Sequence, residues 1–398
     1  MVKKPLHIAY IGQKGAPALW GGVERATEEL AVRMAAAGYF VTVYCRTWYA
    51  KHQPLFYRNV RLKYVPSVHT KYLDAITHTF FSVVNAMWNG VDVIHFQGIG
   101  PALLAWIPRM FAPHTRVLVT FHCLDRKLQK WNWFARLMFY VGEYVAISCS
   151  HEMFVTSRAL EQYVLHTWNH RATYLPNGAF ERTIAFDSTE DIRAFGLTPH
   201  RYVVCVGRLM RDKAQHEVIA AFVRAKERLD DASCADLKLV IVGDSADAHD
   251  SYRAYLNEQI AGRDDVVFLG VQTGSILKSL IKHARVGVSL SYSEGMPLAV
   301  LEMASYGVPL VVSDITAHRE IFGDDHAFIE VGNVERAAVQ LARLVKNFDE
   351  IRVIAAIIAE RIAARYCWDI IVARYCVSIV SVQTEFEREH VVLQARLV

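Results

Sequence analysis

Glu294 and Glu302, with seven residues between them, enclose Gly295-Met296-Pro297-Leu298. The apolar, β-branched run from Val286 to Leu290 reads as a buried strand, and Leu298 to Tyr306 reads as a helix. Chemistry is therefore expected at the turn between them. Gly295 lets the backbone come close to a ligand, and Pro297 suits the first turn of a helix, where its missing N–H costs nothing. The unpaired N–H groups of that helix make an anion site. A phosphate beside two carboxylates needs cations, and another strand end supplies them: Tyr202 to Val206 runs into Gly207-Arg208, and Lys213 follows five residues later. A diphosphate held by Arg208, Lys213 and helix N–H groups is neutralised by protein alone, which leaves the carboxylates for sugar and ribose hydroxyls. The alternative is structural, with one glutamate complementing the helix macrodipole and the other solvated.

The first half of the chain carries a second set. Leu6 to Ile11 reads as a buried strand, followed by a long turn to Gly21-Gly22 and a helix from Glu24 to Ala37 closed by Gly38. Strand, glycine loop and helix open a nucleotide-binding half-fold. The glycine spacing is not that of the dinucleotide fingerprint, and the next strand, Phe40 to Cys45, ends in Arg46 instead of an acid, which argues against a nicotinamide enzyme. The Gly21-Gly22 turn is either a ligand-approaching loop or a tight turn alone. His122 follows the strand Val117 to Phe121, at the strand end where ligands collect in such sheets, or else it is a structural histidine.

Taken together, these segments resemble the retaining, nucleotide-sugar-dependent glycosyltransferases of family 4, which have the GT-B fold. The paired glutamates match the family's motif, Val206-Gly207-Arg208-Leu209 with Lys213 its basic phosphate loop, Gly21 to Arg25 its N-terminal glycine loop, and Pro176-Asn177-Gly178 its hinge-proximal turn. Order and spacing agree over nearly the whole chain. Two departures are Asp212, where glutamate is usual, and Ala214, where glycine is usual, and they leave the loop conformation open. The resemblance implies that Glu302 holds ribose hydroxyls, Glu294 a sugar hydroxyl, Arg208 and Lys213 the departing diphosphate, and His122 the donor hexose. It places Gly21, Gly22, Asn177, Gly207, Gly295, Met296, Pro297 and Leu298 against substrate, and the loop through Gln272 against the base. Front-face attack, with the leaving phosphate as base, fits the family. The segment from Lys14 through Arg136 resembles more loosely a branch that includes bacterial polysaccharide rhamnosyltransferases. No Asp-x-Asp occurs, so neither a catalytic metal nor any cofactor beyond the donor is expected.

Strands alternating with helices along the chain give the fold class: α/β, two doubly wound Rossmann-like domains facing each other across a cleft. The expected divisions are an acceptor-side domain at 1–183, a nucleotide-sugar domain at 184–370, and a helical region at 371–398 that crosses back to the first domain. Val145 to Ser148 reads as a further strand and Ala179 to Pro199 as the linker.

A chain of 398 residues, 53% hydrophobic and 21% charged, has material for two cores and none of the signature of disorder. Its seven scattered cysteines lack metal-ligand spacing and read as reduced thiols. The start is too soon broken by Gly12 for a signal peptide, and the longest apolar run, Pro101 to Pro113, is interrupted by Arg109. A cytosolic enzyme is expected, at the inner face of the plasma membrane if its acceptor is lipid-linked. Residues 1–183 carry 20 Lys+Arg against 10 Asp+Glu, and the remainder 24 against 30. A basic first half suits a phosphate-bearing acceptor or anionic lipid, and equally plain solubility. Arg126 to Arg136 mixes four cations with three aromatics. It reads as a membrane-facing edge or as a helix with a buried aromatic face and a solvated basic one, and no nucleic-acid motif accompanies it. The function expected is glycosyl transfer from a nucleoside diphosphate sugar to a glycan or lipid-linked acceptor, in cell-surface polysaccharide or glycolipid assembly. The rivals are an epimerase or hydrolase of the same fold, and a degenerate membrane- or partner-binding subunit.

Overall fold

Near-continuous apolar runs such as His7–Ile11 and Val93–Gln97 can be buried on both faces only in a sheet covered by helices on each side. The computed structural model describes residues 5–50, 52–70, 73–127, 131–179, 189–229, 234–245 and 251–381, and in it such runs form two parallel sheets. The chain divides into one unit of residues 1–177 with 368–398 and a second of residues 178–367.

The sheet of the first unit has the order β3-β4-β2-β1-β5-β6-β7-β8. Its strands are β1 (His7–Ile11), β2 (Phe40–Arg46), β3 (Phe56–Tyr57), β4 (Val60–Val65), β5 (Val93–Gln97), β6 (Arg116–Phe121), β7 (Glu152–Val155) and β8 (Thr173–Tyr174). Only the β3–β4 hairpin is antiparallel. Strand order reverses direction beside β1, which makes the ends of β1 and β5 the switch point of this sheet. Val145 to Ser148, expected as a strand, is the last turn of the helix Trp133–Cys149. Gly142 and Ala146 face inward one turn apart, and a Cβ on Gly142 would lie 2.9 Å from the Ile99 carbonyl oxygen. That close approach to the helix Ile99–Ala102 holds the apolar run helical, and the strand comes at β7.

The second sheet is wholly parallel, in the order β11-β10-β9-β12-β13. Its strands are β9 (Tyr202–Val206), β10 (Lys238–Val242), β11 (Val266–Phe268), β12 (Val286–Ser289) and β13 (Leu310–Val312). Helices cover both faces: Gln215–Glu227 and Val334–Lys346 pack on one core, Leu298–Ser305 and Phe348–Arg365 on the other. The expected linker is only partly one. Ile192 and Leu197 are buried in the core of the second unit, whereas residues 180–188 lie outside the described residues. The helical residues 368–381 belong to the first unit, where the Tyr375 hydroxyl meets His95 Nδ1 at 2.7 Å. The divisions thus fall at 177/178 and 367/368, against the 183/184 and 370/371 expected from sequence. Among the described residues no helix is long and apolar enough to cross a membrane.

Candidate functional site

At the carboxyl edge of the second sheet, the loops after β9 and β12 meet. The backbone N–H of Tyr292 donates to the Asp212 carbonyl at 2.9 Å, tying the two loops together. This link sets Lys213 beside Glu294, and the ammonium donates to Glu294 Oε1. The Ser291 hydroxyl donates to the same oxygen at 2.8 Å. Burial opposes ionisation of Glu294, but the Lys213 charge, its hydrogen bond and the Ser291 hydroxyl outweigh it, and the pKa lies below the ordinary carboxylate value.

Lys213 closes a tight 3-10 turn, Arg211–Lys213, just ahead of the helix Gln215–Glu227. Ala214 adopts a left-handed conformation, φ 51° and ψ 38°, the geometry that favours glycine at this position. Despite both departures the loop closes: Gln215 Nε2 donates to the Arg208 carbonyl at 2.8 Å, and the Arg208 side chain is exposed. Gly243, after β10, explains how the Gly207 backbone fits. Its φ is 134°, and a Cβ there would lie 2.0 Å from the Gly207 carbonyl oxygen.

The helix Leu298–Ser305 is buried almost all round, and Glu302 lies on it with 6% of its surface exposed. Pro297 is the residue just before this helix, and its carbonyl accepts from the Val300 and Leu301 N–H groups. Met296 is buried in the core beneath, and Leu298 is buried as well, so their side chains anchor the turn. The Tyr306 hydroxyl, one turn beyond Glu302, is pushed up to about 12 by burial and by the Glu302 charge. Gln272 follows β11 and donates to the Leu269 carbonyl at 2.7 Å.

Behind the ion pair is a shelf that sequence reading missed. Ser313 Oγ donates to the Ser291 carbonyl at 2.6 Å, and fully buried His318 donates from Nδ1 to the Ser313 carbonyl at 2.8 Å. Its pKa falls to about 4 because burial penalises the charged ring. Serines after two neighbouring strands and a histidine five residues on were the available signal.

The first unit brings its own residues to the carboxyl edge of its sheet. Gln97 Oε1 accepts from His122 Nε2 at 3.0 Å, which leaves Nδ1 as the acceptor of a ring that burial keeps neutral, with a pKa of about 4. Gly21, with φ 100°, begins the helix Gly22–Ala36, and a Cβ on it would lie 1.9 Å from Glu24 Oε2. Glu24 in turn accepts from the Lys14 N–H at 3.2 Å, and Tyr49 Oη takes the Leu19 N–H at 2.7 Å, so the long loop before Gly21 is pinned along its length. Asn177 is buried at the end of this unit.

Residues 20–179 match the family described as Glycosyltransferase Family 4, and residues 187–356 match Glycosyl transferases group 1. In fold the chain is similar to the sucrose-phosphate synthase of Thermosynechococcus elongatus (TM-score 0.77, 20% identity, 96% of this chain and 100% of that one). It is also similar to Anabaena HepE in complex with UDP-glucose (TM-score 0.76, 16% identity, 94% and 100%). The chain belongs to the family 4 glycosyltransferases of GT-B fold. An uncharacterised glycosyltransferase of Methanocaldococcus jannaschii is 30% identical over 188 residues, 45% of this chain and 46% of the relative. The chain thus spans about half the length of that curated relative. In family terms, both matched segments contain the loops just described: the Gly21 turn and His122 lie in the first, and the Lys213–Glu294 pair and Glu302 in the second.

Proposed function

We propose that this family 4 glycosyltransferase moves a sugar from a nucleoside diphosphate donor to an acceptor hydroxyl with retention of anomeric configuration. The observation that carries the reading is the Lys213–Glu294 pair, with Arg208 exposed on the adjoining loop. Negative charge accumulates on the diphosphate as the anomeric C–O bond breaks and its electron pair goes to the leaving oxygen. Lys213 and Arg208 are the cations available to receive that charge, an effect worth about 3 kcal/mol for a well-placed donor. Glu294, kept ionised, accepts from a donor-sugar hydroxyl and stabilises developing positive charge at the ring. Glu302 takes the ribose hydroxyls, the Gly295 turn the sugar and phosphate oxygens, and the Gln272 loop the base. The acceptor oxygen bonds to the anomeric carbon on the face the diphosphate leaves, and its proton passes to the leaving phosphate oxygen. Neutral His122 is our candidate for a further sugar hydroxyl.

No metal is invoked: the reading assigns the charge to Arg208 and to Lys213, whose ammonium is shared with Glu294. The UDP-glucose bound by the HepE neighbour makes a uridine nucleotide the first to test. The basic first half favours a lipid-linked glycan acceptor at the inner face of the plasma membrane, in polysaccharide or glycolipid assembly, and rhamnosyl transfer is the narrower form of that reading.

The test is metal-free calorimetry of UDP, GDP, TDP and ADP, followed by product analysis with the matching sugar nucleotides. Glycosylated acceptor of unchanged anomeric configuration supports the reading. Free sugar or an epimer as the sole product, or no nucleotide bound at millimolar concentration, sinks it.

A further inference from the structure

Three helices on one side of the first sheet are amphipathic the wrong way round for a solvated surface. In Leu73–Trp88 the inward residues include Asp74, His78, Thr79 and Ser82, while Phe80, Phe81, Val84 and Trp88 face outward. Trp88 is 89% exposed, so no described residue covers it. Trp106–Phe111 packs beside that helix and turns Met110 and Phe111 outward. Trp133–Cys149 packs on the far side of Trp106–Phe111, buries Glu143, and exposes Trp133, Leu137, Tyr140 and Tyr144. Trp133 and Phe134 of the segment through Arg136 are therefore outside, contrary to the buried aromatic face that is one reading of its sequence, whereas Trp131 is half-buried against Phe139; Lys130 and its two predecessors lie outside the described residues. An apolar face of this extent on a single chain marks an interaction surface.

Its charges select the partner. Both carboxylates of these helices point inward and are paired, Asp74 with Arg46 and Glu143 with Arg126. Arg136 stands exposed on Trp133–Cys149, Arg109 is exposed with its guanidinium against His151 Nε2, and no described residue of the three helices presents an exposed carboxylate. A second copy docked face to face would bring together two faces with no exposed carboxylate on either to receive Arg136. An anionic lipid surface takes it, and its headgroup boundary suits Trp and Tyr rings whose bodies are apolar and whose tips are polar. We infer that the outward face of Leu73–Trp88, Trp106–Phe111 and Trp133–Cys149 is a docking surface for an anionic bilayer. The inference deepens the reading of a lipid-linked acceptor by naming where the chain meets the surface that carries it, and its test needs no turnover.

Full-length chain is co-sedimented with vesicles of phosphatidylcholine alone and of phosphatidylglycerol with phosphatidylethanolamine. Analytical ultracentrifugation without lipid and nucleotide calorimetry run in parallel. Binding to the anionic vesicles alone is expected. It should weaken about tenfold or more in Phe81→Glu/Trp88→Glu, and less in Arg136→Glu, with nucleotide affinity and melting temperature unchanged. Failure of the folded wild type to bind either vesicle overturns the inference, as does binding that neither variant weakens. A dimer that the double variant dissociates also overturns it, by assigning the face to a second copy. Loss of nucleotide binding in the wild type, with vesicle binding intact, would instead count against the transferase reading.

Discussion

Lys213 and Ser291 both donate to a single oxygen of Glu294, so one carboxylate oxygen joins the loop after β9 to the loop after β12. The shared oxygen makes the two loops one unit. Lys213→Ala would leave a nearly buried carboxylate without its cation and remove a cation from the leaving group. Turnover should fall by at least about a hundredfold. Glu294→Gln should also be severe, and the double variant should cost little more than the worse single one, because the residues act together. Strict additivity of the two losses, measured as kcat/KM with one donor, would show the contact to be incidental.

Glu302 is set apart from that pair, one helical turn inside Leu298–Ser305. If it holds a ribose, Glu302→Gln should weaken nucleoside diphosphate binding by about 1.5–3 kcal/mol, roughly ten- to a hundredfold in Kd, with the melting temperature of the unliganded protein little changed. The isosteric amide keeps the packing and removes the charged acceptor. Calorimetry decides: a Kd equal to wild type means that Glu302 is structural.

Gly243→Ala tests the backbone that carries the site. The added methyl would need the place of the Gly207 carbonyl oxygen, and the positive φ is itself unfavourable for alanine. A stability loss of more than about 2 kcal/mol is expected, with nucleotide affinity falling alongside. Gly262, also at positive φ but with nothing within 4 Å of an added Cβ, is the control in the same unit, since its substitution carries the backbone cost without the clash. Equal melting temperatures for Gly243→Ala and Gly262→Ala would refute the steric argument.

Fully buried histidines are expected to weaken the fold in acid. Burial holds His95 at about 3 and His318 at about 4, and both titrate near 6.5 in an unfolded chain. Below about pH 6.5 the unfolded chain takes up protons that the folded one refuses. Stability is therefore full above that pH and falls as pH drops toward the folded values, by at most about 1.4 kcal/mol per pH unit per histidine. Urea unfolding at a series of pH values should show this slope, and His95→Gln should flatten it. An unaltered slope in that variant would place the acid sensitivity elsewhere.

Much of this was legible in the chain itself. Buried parallel strands announce themselves as apolar runs, and candidate residues stand out where such runs end, so Arg208, Lys213, Glu294 and His122 could be proposed by type and position, and Glu302 by its spacing from Glu294. Spacing along the chain is a local property, and local properties survive without a fold. Val145 to Ser148 shows the limit: an apolar run of that length suits strand or helix equally, and contact of Gly142 with the Ile99 backbone decided for helix. Which oxygen of Glu294 takes two donors, which carbonyl forbids a methyl on Gly243, and that His318 underlies Ser313 are relations between distant segments, created only when the strands align. The outward aromatic face of the first unit is of the same kind. A helical stripe of Phe, Val and Trp reads as core until the sheet is in place, and here the sheet lies against the opposite, polar side of the helix.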